Sequence, residues 1–362
     1  MTSFIKWRRT VAAVGALAMI ATACGGSDDP DTGAEGENGG ETEAEGEGSG
    51  NVLSSITVGI NNPNYATQMA VVLADAYGYF EEVGITDVEI IETDEYIAGL
   101  IGGSLDITQG DTDAAFGSAN TSGEEIIFTG TYRHGEYQIL GVGPDISEPE
   151  DLIGQDITGG ALGSRNQRLI ERYLTELGVD PDEVNFVPQG GNSDATLQAI
   201  MSGTVAAGAL FPRHKFALEE AGGQFIYEQF AENPQEGLLV MGDFYEENYD
   251  TVVAFWEATL KARQDMYEAI DDEEKKAEIY RIMREDYGFD IPEPFETVFQ
   301  LEVEQVSPDG GFETDLMDAL VEEQIELGNL PEDIDWRSYV DLTALHEAQE
   351  RVGIDLRPAS LD

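Results

Sequence analysis

Residues 56–80 read ITVGINNPNYATQMAVVLADAYGYF, and this stretch predicts how the chain folds. Apolar residues alternate at positions 56, 58 and 60, as is typical of a β-strand, and the Asn-Pro-rich segment 61–64 predicts a turn. The following residues predict a helix whose apolar face is formed by Met69, Val72, Leu73, Ala76 and Phe80. A strand followed by a polar loop and a helix is the repeating unit of α/β proteins.

The same alternation continues along the chain. Further strands are predicted at 88–91, 107–109, 126–128, 139–142, 156–159, 184–187, 208–211 and 238–241. Helices are predicted between them at 96–101, 166–177 and 195–201, and the second of these is stopped by Gly178. Longer helices follow residue 241, one of them burying Val253, Trp256 and Leu260. The pattern predicts an α/β fold with a parallel or mixed sheet covered by helices on both faces.

The length of the folded part predicts two lobes. About 310 residues follow the N-terminal segments, more than one hydrophobic core usually organises. We expect residues 52–143 and 237–362 to form lobe one and residues 144–236 to form lobe two, with a cleft between them. The chain would cross between the lobes near Gly141 and Leu239, and the extra C-terminal helices would return to lobe one.

The N-terminal segment predicts export and a lipid anchor. Residues 1–23 contain a basic start with Lys6, Arg8 and Arg9, an apolar run too short to span a bilayer, and small residues before Cys24. This segment resembles a bacterial lipoprotein signal, with Cys24 as the lipidated residue. The alternative is a cleaved secretory signal beside an incidental cysteine. Residues 24–51 are Gly- and Glu-rich and predict a disordered acidic tether, so we expect a protein held on the extracytoplasmic face of the cell membrane.

The composition excludes several classes of function. The formal net charge is −55, which argues against nucleic acid as a partner and suggests a saline habitat. The three histidines, His134, His214 and His346, share no ligand spacing, so we expect no metal site and no cofactor. One cysteine allows no disulfide within the chain.

Several segments together carry a resemblance to a known family. They are ADAYGYFEEVG at 74–84, VEI at 88–90, DLIGQDI at 151–157, Gly163-Ser164, LTELGVDPDEV at 174–184 and LQAIMSG at 197–203. In this order the segments resemble the substrate-binding proteins of ABC importers, in the group that binds sulfonates, taurine, nitrate and thiamine-pyrimidine precursors. The resemblance covers about residues 56–345. It implies a type II periplasmic-binding-protein fold whose lobes close over one small solute and then dock on the importer's permease and ATPase, and it implies a monomer without catalytic residues.

Candidate ligand-binding residues follow strands or open helices, because loops at the carboxyl ends of strands meet helix N-termini there. They are Asn64, Tyr65, Asp111, Thr112, Gly163, Ser164, Arg165, Asn166, Phe211 and Arg213. The resemblance implies that the loop with Gly163 and Ser164 holds ligand. Each residue also has a structural interpretation, such as a helix cap for Ser164 or Asp111 and a turn for Asn64.

The ligand class and the biological role stay open at this stage. Arg165 and Arg213 favour an anionic ligand, whereas the relatives that bind vitamin precursors favour a heteroaromatic one. An anchored ligand sensor has the same sequence features as a transport receptor. An enzyme related to thiamine-pyrimidine synthesis is a further alternative, but the chain has no counterpart of the cysteine-rich segment of those relatives and no Gly-x-Ser-x-Gly elbow.

Overall fold

The computed structural model describes residues 51–60, 65–190, 193–289, 291 and 294–361. The predicted signal, Cys24, residues 24–50 of the predicted tether, and Asn64 lie outside the described residues.

Within the described residues, eight strands form one sheet. The strands are β1 (Ser55–Ile60), β2 (Asp87–Glu92), β3 (Ile107–Asp111), β4 (Ile126–Val142), β5 (Asp156–Thr158), β6 (Asn185–Phe186), β7 (Ala207–Leu210) and β8 (Gln224–Met241). Their order across the sheet is β2-β1-β3-β8-β4-β7-β5-β6. Strands β2, β1 and β3 run parallel, as do β7, β5 and β6, and β8 and β4 join the two sets through antiparallel pairs. The sheet is therefore mixed, with two parallel α/β units at its ends.

Helices cover both faces of this sheet. They are α1 (Tyr65–Ala76), α2 (Tyr79–Glu82), α3 (Tyr96–Ile101), α4 (Thr112–Ser122), α5 (Arg165–Glu176), α6 (Ser193–Met201), α7 (Lys215–Glu220), α8 (Gly242–Glu247), α9 (Tyr249–Glu268), α10 (Glu273–Arg281), α11 (Phe299–Val303), α12 (Thr314–Glu326) and α13 (Thr343–Val352). Short turns of other helix types lie at Pro149–Leu152, Pro181–Glu183, Pro212–His214, Ala269–Asp271, Ile282–Asp286, Phe295–Thr297 and Trp336–Tyr339. In the part of the chain that is described, none of these helices has both the length and the apolar composition needed to cross a bilayer.

The first core lies around β1, β3, the start of β4 and the end of β8, together with the C-terminal helices. Trp256 on α9 is fully buried, and its Nε1–H donates to the Thr129 hydroxyl at 3.1 Å. Gly130 beside it has φ +149°, and a Cβ there would come within 2.8 Å of the Trp256 ring. Helices after β8 therefore pack on the same core as the N-terminal strands.

Two smaller cores lie on opposite faces of the other half of the sheet. Leu140 and Val142 of β4 pack in one of them with α5, and Ile139 packs in the other with α6 and α7. Adjacent residues of a strand point to opposite faces, so one short segment of β4 contributes to both cores. This half of the sheet is thus covered by helices on each side, as the α/β pattern predicts.

Strands β4 and β8 differ from the prediction, which places separate short strands at 126–128 and 139–142 and a strand only at 238–241. Each is instead one long strand that passes from the first core into the smaller cores. Their pairing is irregular between Phe128 and Gly135, where the register shifts three times. Residues 132–138 lie between the two predicted strands and are mostly polar. Arg133 and Gln138 are nevertheless buried, and their partners lie far away in the chain.

The first predicted helix also ends earlier than its apolar pattern suggests. Helix α1 stops at Ala76, and Gly78 follows with φ +81°, a left-handed conformation that favours glycine. Phe80 belongs to the short helix α2 and is buried in the same core. Of the predicted apolar face, Met69, Val72, Leu73 and Phe80 are buried and Ala76 is half-buried. Every residue from Gln68 to Ala74 is buried, so this part of α1 is covered on all sides rather than on one face.

Candidate functional site

A cavity of about 160 Å³ lies at the carboxyl ends of β5 and β7, beside the N-termini of α5 and α6. The middle of β4 forms another wall. In α/β folds this is the position where ligands collect, because loops leave the strands there and helix N-termini present free N–H groups.

Aromatic and neutral polar side chains dominate the wall. Tyr137, Tyr173 and Phe211 supply rings, and Glu136 is the charged residue among the lining residues that the structure describes. The other lining residues are Gln138, Ile139, Thr158, Gly159, Gly160, Asn166, Leu169, Ser193, Thr196, Ala209 and Leu210.

Two of the rings are held in place by a second ring. Tyr173 stacks on Tyr227 with 4.4 Å between the ring centroids, and Tyr137 packs at 5.3 Å from Phe230. The Tyr137 hydroxyl donates to the Glu304 carboxylate. Burial, followed by this hydrogen bond, raises the pKa of Tyr137, so its phenol stays neutral. These aromatic surfaces are fixed before any ligand arrives.

The loop before α5 is organised by Ser164, which caps the helix. Its hydroxyl accepts from the Gln167 N–H at 3.3 Å and donates to the Gly159 carbonyl at 2.9 Å. Gly163 has φ +75°, and its N–H donates to Gln167 Oε1 at 2.9 Å. The structural interpretation of Ser164 as a cap is therefore correct, and it does not conflict with a role of the loop in binding.

Asn166, the second residue of α5, lines the cavity. Arg165 is the first residue of the helix, and its side chain lies outside the part of the structure that is described.

Phe211 and Arg213 follow the end of β7. Phe211 lines the cavity, and the Arg213 guanidinium lies 4.8 Å from the centre of the Phe211 ring. Arg213 also donates to the Ser193 hydroxyl at 2.9 Å. The contact ties the end of β7 to the start of α6.

His214 strengthens the same connection. Its Nδ1 accepts from the Phe211 N–H at 3.0 Å, and its Nε2 lies 2.9 Å from Asp194 Oδ1. The ring is buried, and burial, aided by the charge of Arg213, lowers the pKa of His214 to about 4. The imidazole is therefore neutral at pH 7, and its contact with Asp194 is a hydrogen bond in which Nε2–H donates, rather than an ion pair.

The candidate ligand-binding residues Asp111 and Thr112 do not line the cavity. Asp111 accepts from the Tyr96 hydroxyl at 2.9 Å, and the Thr112 hydroxyl donates to the Pro234 carbonyl at 2.8 Å. Tyr65 begins α1, but its side chain, like the whole of Asn64, is outside the described residues.

A buried charge cluster joins the two halves of the sheet near the cavity. Arg133 contacts Glu236 at 3.1 Å, donates to Gln305 Oε1 at 2.7 Å and donates to the Gly135 carbonyl at 3.1 Å. One guanidinium thereby connects β4, β8 and the segment after α11 at the irregular part of the strand pair.

Glu302 on α11 belongs to this cluster. It is fully buried, and burial raises its pKa to about 7, although the charges of Arg213 and Arg133 act in the opposite direction. Gln305 Nε2 donates to its Oε2 at 3.1 Å, and α11 packs against the turn Pro212–His214. Glu302 thus lies where a helix of the first core meets the loop that carries Phe211 and Arg213.

Sequence reasoning missed several lining residues. Glu136, Tyr137 and Gln138 lie between the predicted strands 126–128 and 139–142, and Tyr173 has the position of an ordinary core aromatic in α5. The available signal was the period-two alternation of polar and apolar residues through 136–139, which is typical of a strand with one face in a polar site. No group of three His, Cys, Asp or Glu side chains in the described ranges lies close enough to hold a metal ion.

The fold is that of two-lobed periplasmic binding proteins. The periplasmic nitrate-binding protein NrtA from Synechocystis PCC 6803 aligns with a TM-score of 0.61 and 15% identity over 86% of this chain and 92% of its own. The periplasmic aliphatic sulphonate binding protein SsuA from Escherichia coli aligns with a TM-score of 0.58 and 15% identity over 81% of this chain and 99% of its own. The alkanesulfonate-binding protein SsuA from Xanthomonas axonopodis pv. citri, bound to MOPS, aligns with a TM-score of 0.55 and 14% identity over 81% of this chain and 99% of its own.

The chain belongs to the NMT1/THI5 like family, whose model matches residues 65–272. A search among curated proteins gave no match. The predicted fold class and the resemblance to the group of sulfonate and nitrate binders are both confirmed.

Proposed function

We propose that this chain is an extracytoplasmic solute-binding lipoprotein that captures a small organic ligand, anionic or heteroaromatic, between its lobes and delivers it to an ABC importer. The permease and ATPase of the importer would be its protein partners, and the protein would act as a monomer anchored through lipid on Cys24. It would release the solute unchanged.

The observation that carries the proposal is the cavity at the carboxyl ends of β5 and β7, between the starts of α5 and α6. Its aromatic walls are already backed by Tyr227 and Phe230, which supports binding without large rearrangement of side chains. The fold also supports it, since nitrate- and sulfonate-binding proteins share it.

The ligand contacts remain part of the proposal. Asn166 and Phe211 would contact the solute from one lobe, supported by their place in the cavity wall. Asp111, Thr112, Asn64 and Tyr65 would contribute from the other lobe once the cleft closes. The lobe boundaries proposed here are 52–143 with 237–362, and 144–236.

A thermal-shift screen followed by small-angle X-ray scattering tests this function. Sulfonates, nitrate, thiamine precursors and riboflavin-like compounds are the first candidates, and a ligand at about 100 times its Kd adds about 2.7 kcal/mol of stability. The true ligand should also lower the radius of gyration, because the lobes close.

Two variants locate the binding event. Asn166→Ala should weaken binding of a ligand found in the screen, whereas Asn185→Ala, an exposed residue that does not line the cavity, should leave it unchanged. Recovery of the ligand in a chemically altered form would contradict the proposal and favour the enzyme alternative. Binding without any change in radius of gyration would contradict closure.

A further inference from the structure

Residues 302–307 pair with the irregular part of β4, and we call them the latch segment. The Ser307 N–H donates to the Tyr132 carbonyl at 3.0 Å, and the His134 N–H donates to the Gln305 carbonyl at 3.1 Å. These bonds lie where the pairing of β4 with β8 shifts its register. The main chain of the latch segment therefore holds β4 at the place where β8 holds it least regularly.

The latch segment connects the two halves of the sheet. Val306 is buried in the first core, and its carbonyl accepts from the Tyr267 hydroxyl of α9 at 2.8 Å. Other contacts reach past the irregular pairs, because the Tyr137 hydroxyl donates to the Glu304 carboxylate and α11 packs against the turn Pro212–His214 after β7. The segment is thus fixed on one half and bound to the other.

Bending of the sheet would break these contacts. Strands β4 and β8 run without interruption between the halves, so movement of one half against the other falls to the irregular pairs that the latch segment spans. The cavity wall consists of residues between 136 and 211, so the first half reaches the cavity only after such a movement. The contact of α11 with the turn Pro212–His214 therefore belongs to the arrangement in which the cavity is not yet covered by the first half.

Glu302 lies at the contact between α11 and this turn. It is fully buried, Arg213 of the turn acts on it through its charge and its main chain, and Gln305 Nε2 donates to its Oε2 at 3.1 Å. These groups and Arg133 favour the carboxylate, but burial outweighs them and raises the pKa of Glu302 to about 7. Separation of α11 from the turn would return Glu302 to water, where the carboxylate is the favoured form at pH 7. Ionisation and separation are therefore linked.

Other titratable groups surround α11. The turn carries His214, whose pKa is lowered to about 4, and β4 carries His134, whose pKa burial also lowers, so both imidazoles are neutral at pH 7. The remaining charged groups are Arg133 and Glu136 on β4, Glu236 on β8, Lys276 on α10 and Asp271 in the turn before it. Arg133 is paired with Glu236, and Lys276 with Glu273.

We propose that residues 302–307 form a latch between the two halves of the sheet and that Glu302 controls it. As a neutral acid Glu302 keeps α11 on the turn Pro212–His214, and as a carboxylate it releases α11 and frees the halves to move. The biological purpose of this latch rests on the proposed solute-binding function, since release of the latch at higher pH permits the lobes to close over the cavity.

The linkage gives the direction and size of the effect. The pKa of Glu302 is about 7 in the latched state and returns toward 4.5 when the side chain is exposed. The latched state therefore loses stability as pH rises, and the ratio of released to latched molecules should increase about 30-fold between about pH 5.5 and pH 8.5.

Double electron–electron resonance on the ligand-free protein measures the arrangement of the halves. Spin labels are attached through Glu322→Cys on α12, which packs on the first core, and Glu219→Cys on α7, in a chain that also carries Cys24→Ser. Both labelled positions are exposed. We expect one distance at about pH 5.5 and a second distance that gains population by the factor above at about pH 8.5.

Three variants assign the response to the latch. Glu302→Gln resembles the neutral acid and should keep the distance of low pH at both values, which separates Glu302 from the other titrating groups. Glu246→Gln removes an exposed carboxylate of α8 and should respond as the wild type does. Tyr137→Phe removes the hydrogen bond to Glu304 and should raise the ratio of released to latched molecules by at least about tenfold at each pH. Circular dichroism verifies that each variant is folded.

The inference is overturned by distances that stay the same at both pH values, by a pH response that persists in Glu302→Gln, or by an unchanged ratio in Tyr137→Phe. A solute that changes the distance in a protein without a pH response would contradict the latch and leave the solute-binding function intact. A pH response in a protein that binds none of the screened solutes would support the latch and count against the proposed function.

Discussion

The guanidinium of Arg133 lies 3.1 Å from the carboxylate of Glu236, across the segment in which β4 and β8 pass from one core to the next. Both groups are largely buried, and burial raises the pKa of Glu236 even though Arg133 opposes the shift. The pair therefore holds the two long strands together where their main-chain register is irregular.

Loss of this pair should be costly. Arg133→Met leaves the Glu236 carboxylate buried without its cation, and we expect the free energy of unfolding at pH 7 to fall by about 3 kcal/mol. Arg351→Met, which removes an exposed partner of Glu347, should cost no more than about 0.5 kcal/mol. Urea unfolding of both variants measures the contrast, and equal losses would mean that the buried pair has no special role.

Glu302 should make stability depend on pH in one direction. Folding raises its pKa from 4.5 to about 7, so the folded state binds a proton more tightly than the unfolded state does. As pH rises from 4.5 to about 7, the contribution of Glu302 to the free energy of unfolding therefore falls. Glu302→Gln resembles the protonated acid. Its free energy of unfolding should therefore rise relative to that of the wild type, by up to about 3 kcal/mol, as pH rises from 4.5 to 8. Unfolding curves across this range measure the difference, and a constant difference would contradict the burial argument.

His214 should act in the opposite direction. Its pKa falls from 6.5 to about 4 on folding, so between these values the unfolded state binds more protons and stability rises with pH. The free energy of unfolding of His214→Asn should therefore fall relative to that of the wild type, by up to about 3 kcal/mol, as pH rises from 4 to 7. The same unfolding curves provide the measurement. Since Glu302 and His214 predict opposite slopes, each variant is the control for the other.

Ser164 provides a test that separates folding from binding. Ser164→Ala removes the N-cap of α5 and should lower the free energy of unfolding by about 1 kcal/mol. Asp272→Ala removes the cap of α10 and should cost a similar amount. Ligand affinity, measured well below both unfolding midpoints, should decrease only in Ser164→Ala if this loop holds the ligand. Unchanged affinity in both variants would restrict Ser164 to its capping role.

The anchor proposed for Cys24 has its own test. Cys24→Ser removes the thiol that would receive lipid, and we expect the protein to move from the membrane fraction to the soluble fraction. Fractionation of cells that express each form measures the distribution. Wild type and variant with the same distribution would support the cleaved secretory signal instead.

The local signals of the chain predict helix α5 well. Helix α5 runs over Arg165–Glu176, within one residue of the predicted 166–177, because Ser164 caps its start and Gly178 follows its end. The boundaries agree because capping and glycine stops depend only on neighbouring residues.

The long strands and most of the cavity wall depend on residues distant in sequence. The buried parts of β4 include Arg133, whose partners Glu236 and Gln305 lie more than 100 positions away. Periodicity alone treats such a residue as exposed. Asn166 and Phe211 are found at the cavity because they stand at the ends of elements, whereas Tyr137 and Tyr173 resemble core aromatics until the fold brings them together.

The unbroken course of β4 and β8 has a consequence for how the molecule opens. Two continuous strands link the halves of the sheet, so bending falls to the irregular parts of their pairing, which are three between Phe128 and Gly135 and one between Leu140 and Gly141. Amide hydrogens between Phe128 and Gly135 should exchange faster with deuterium in the ligand-free protein than in the saturated protein, while those of the regularly paired strand Ser55–Ile60 keep the same rate. The hinge of this protein would then be a short part of the sheet rather than a loop.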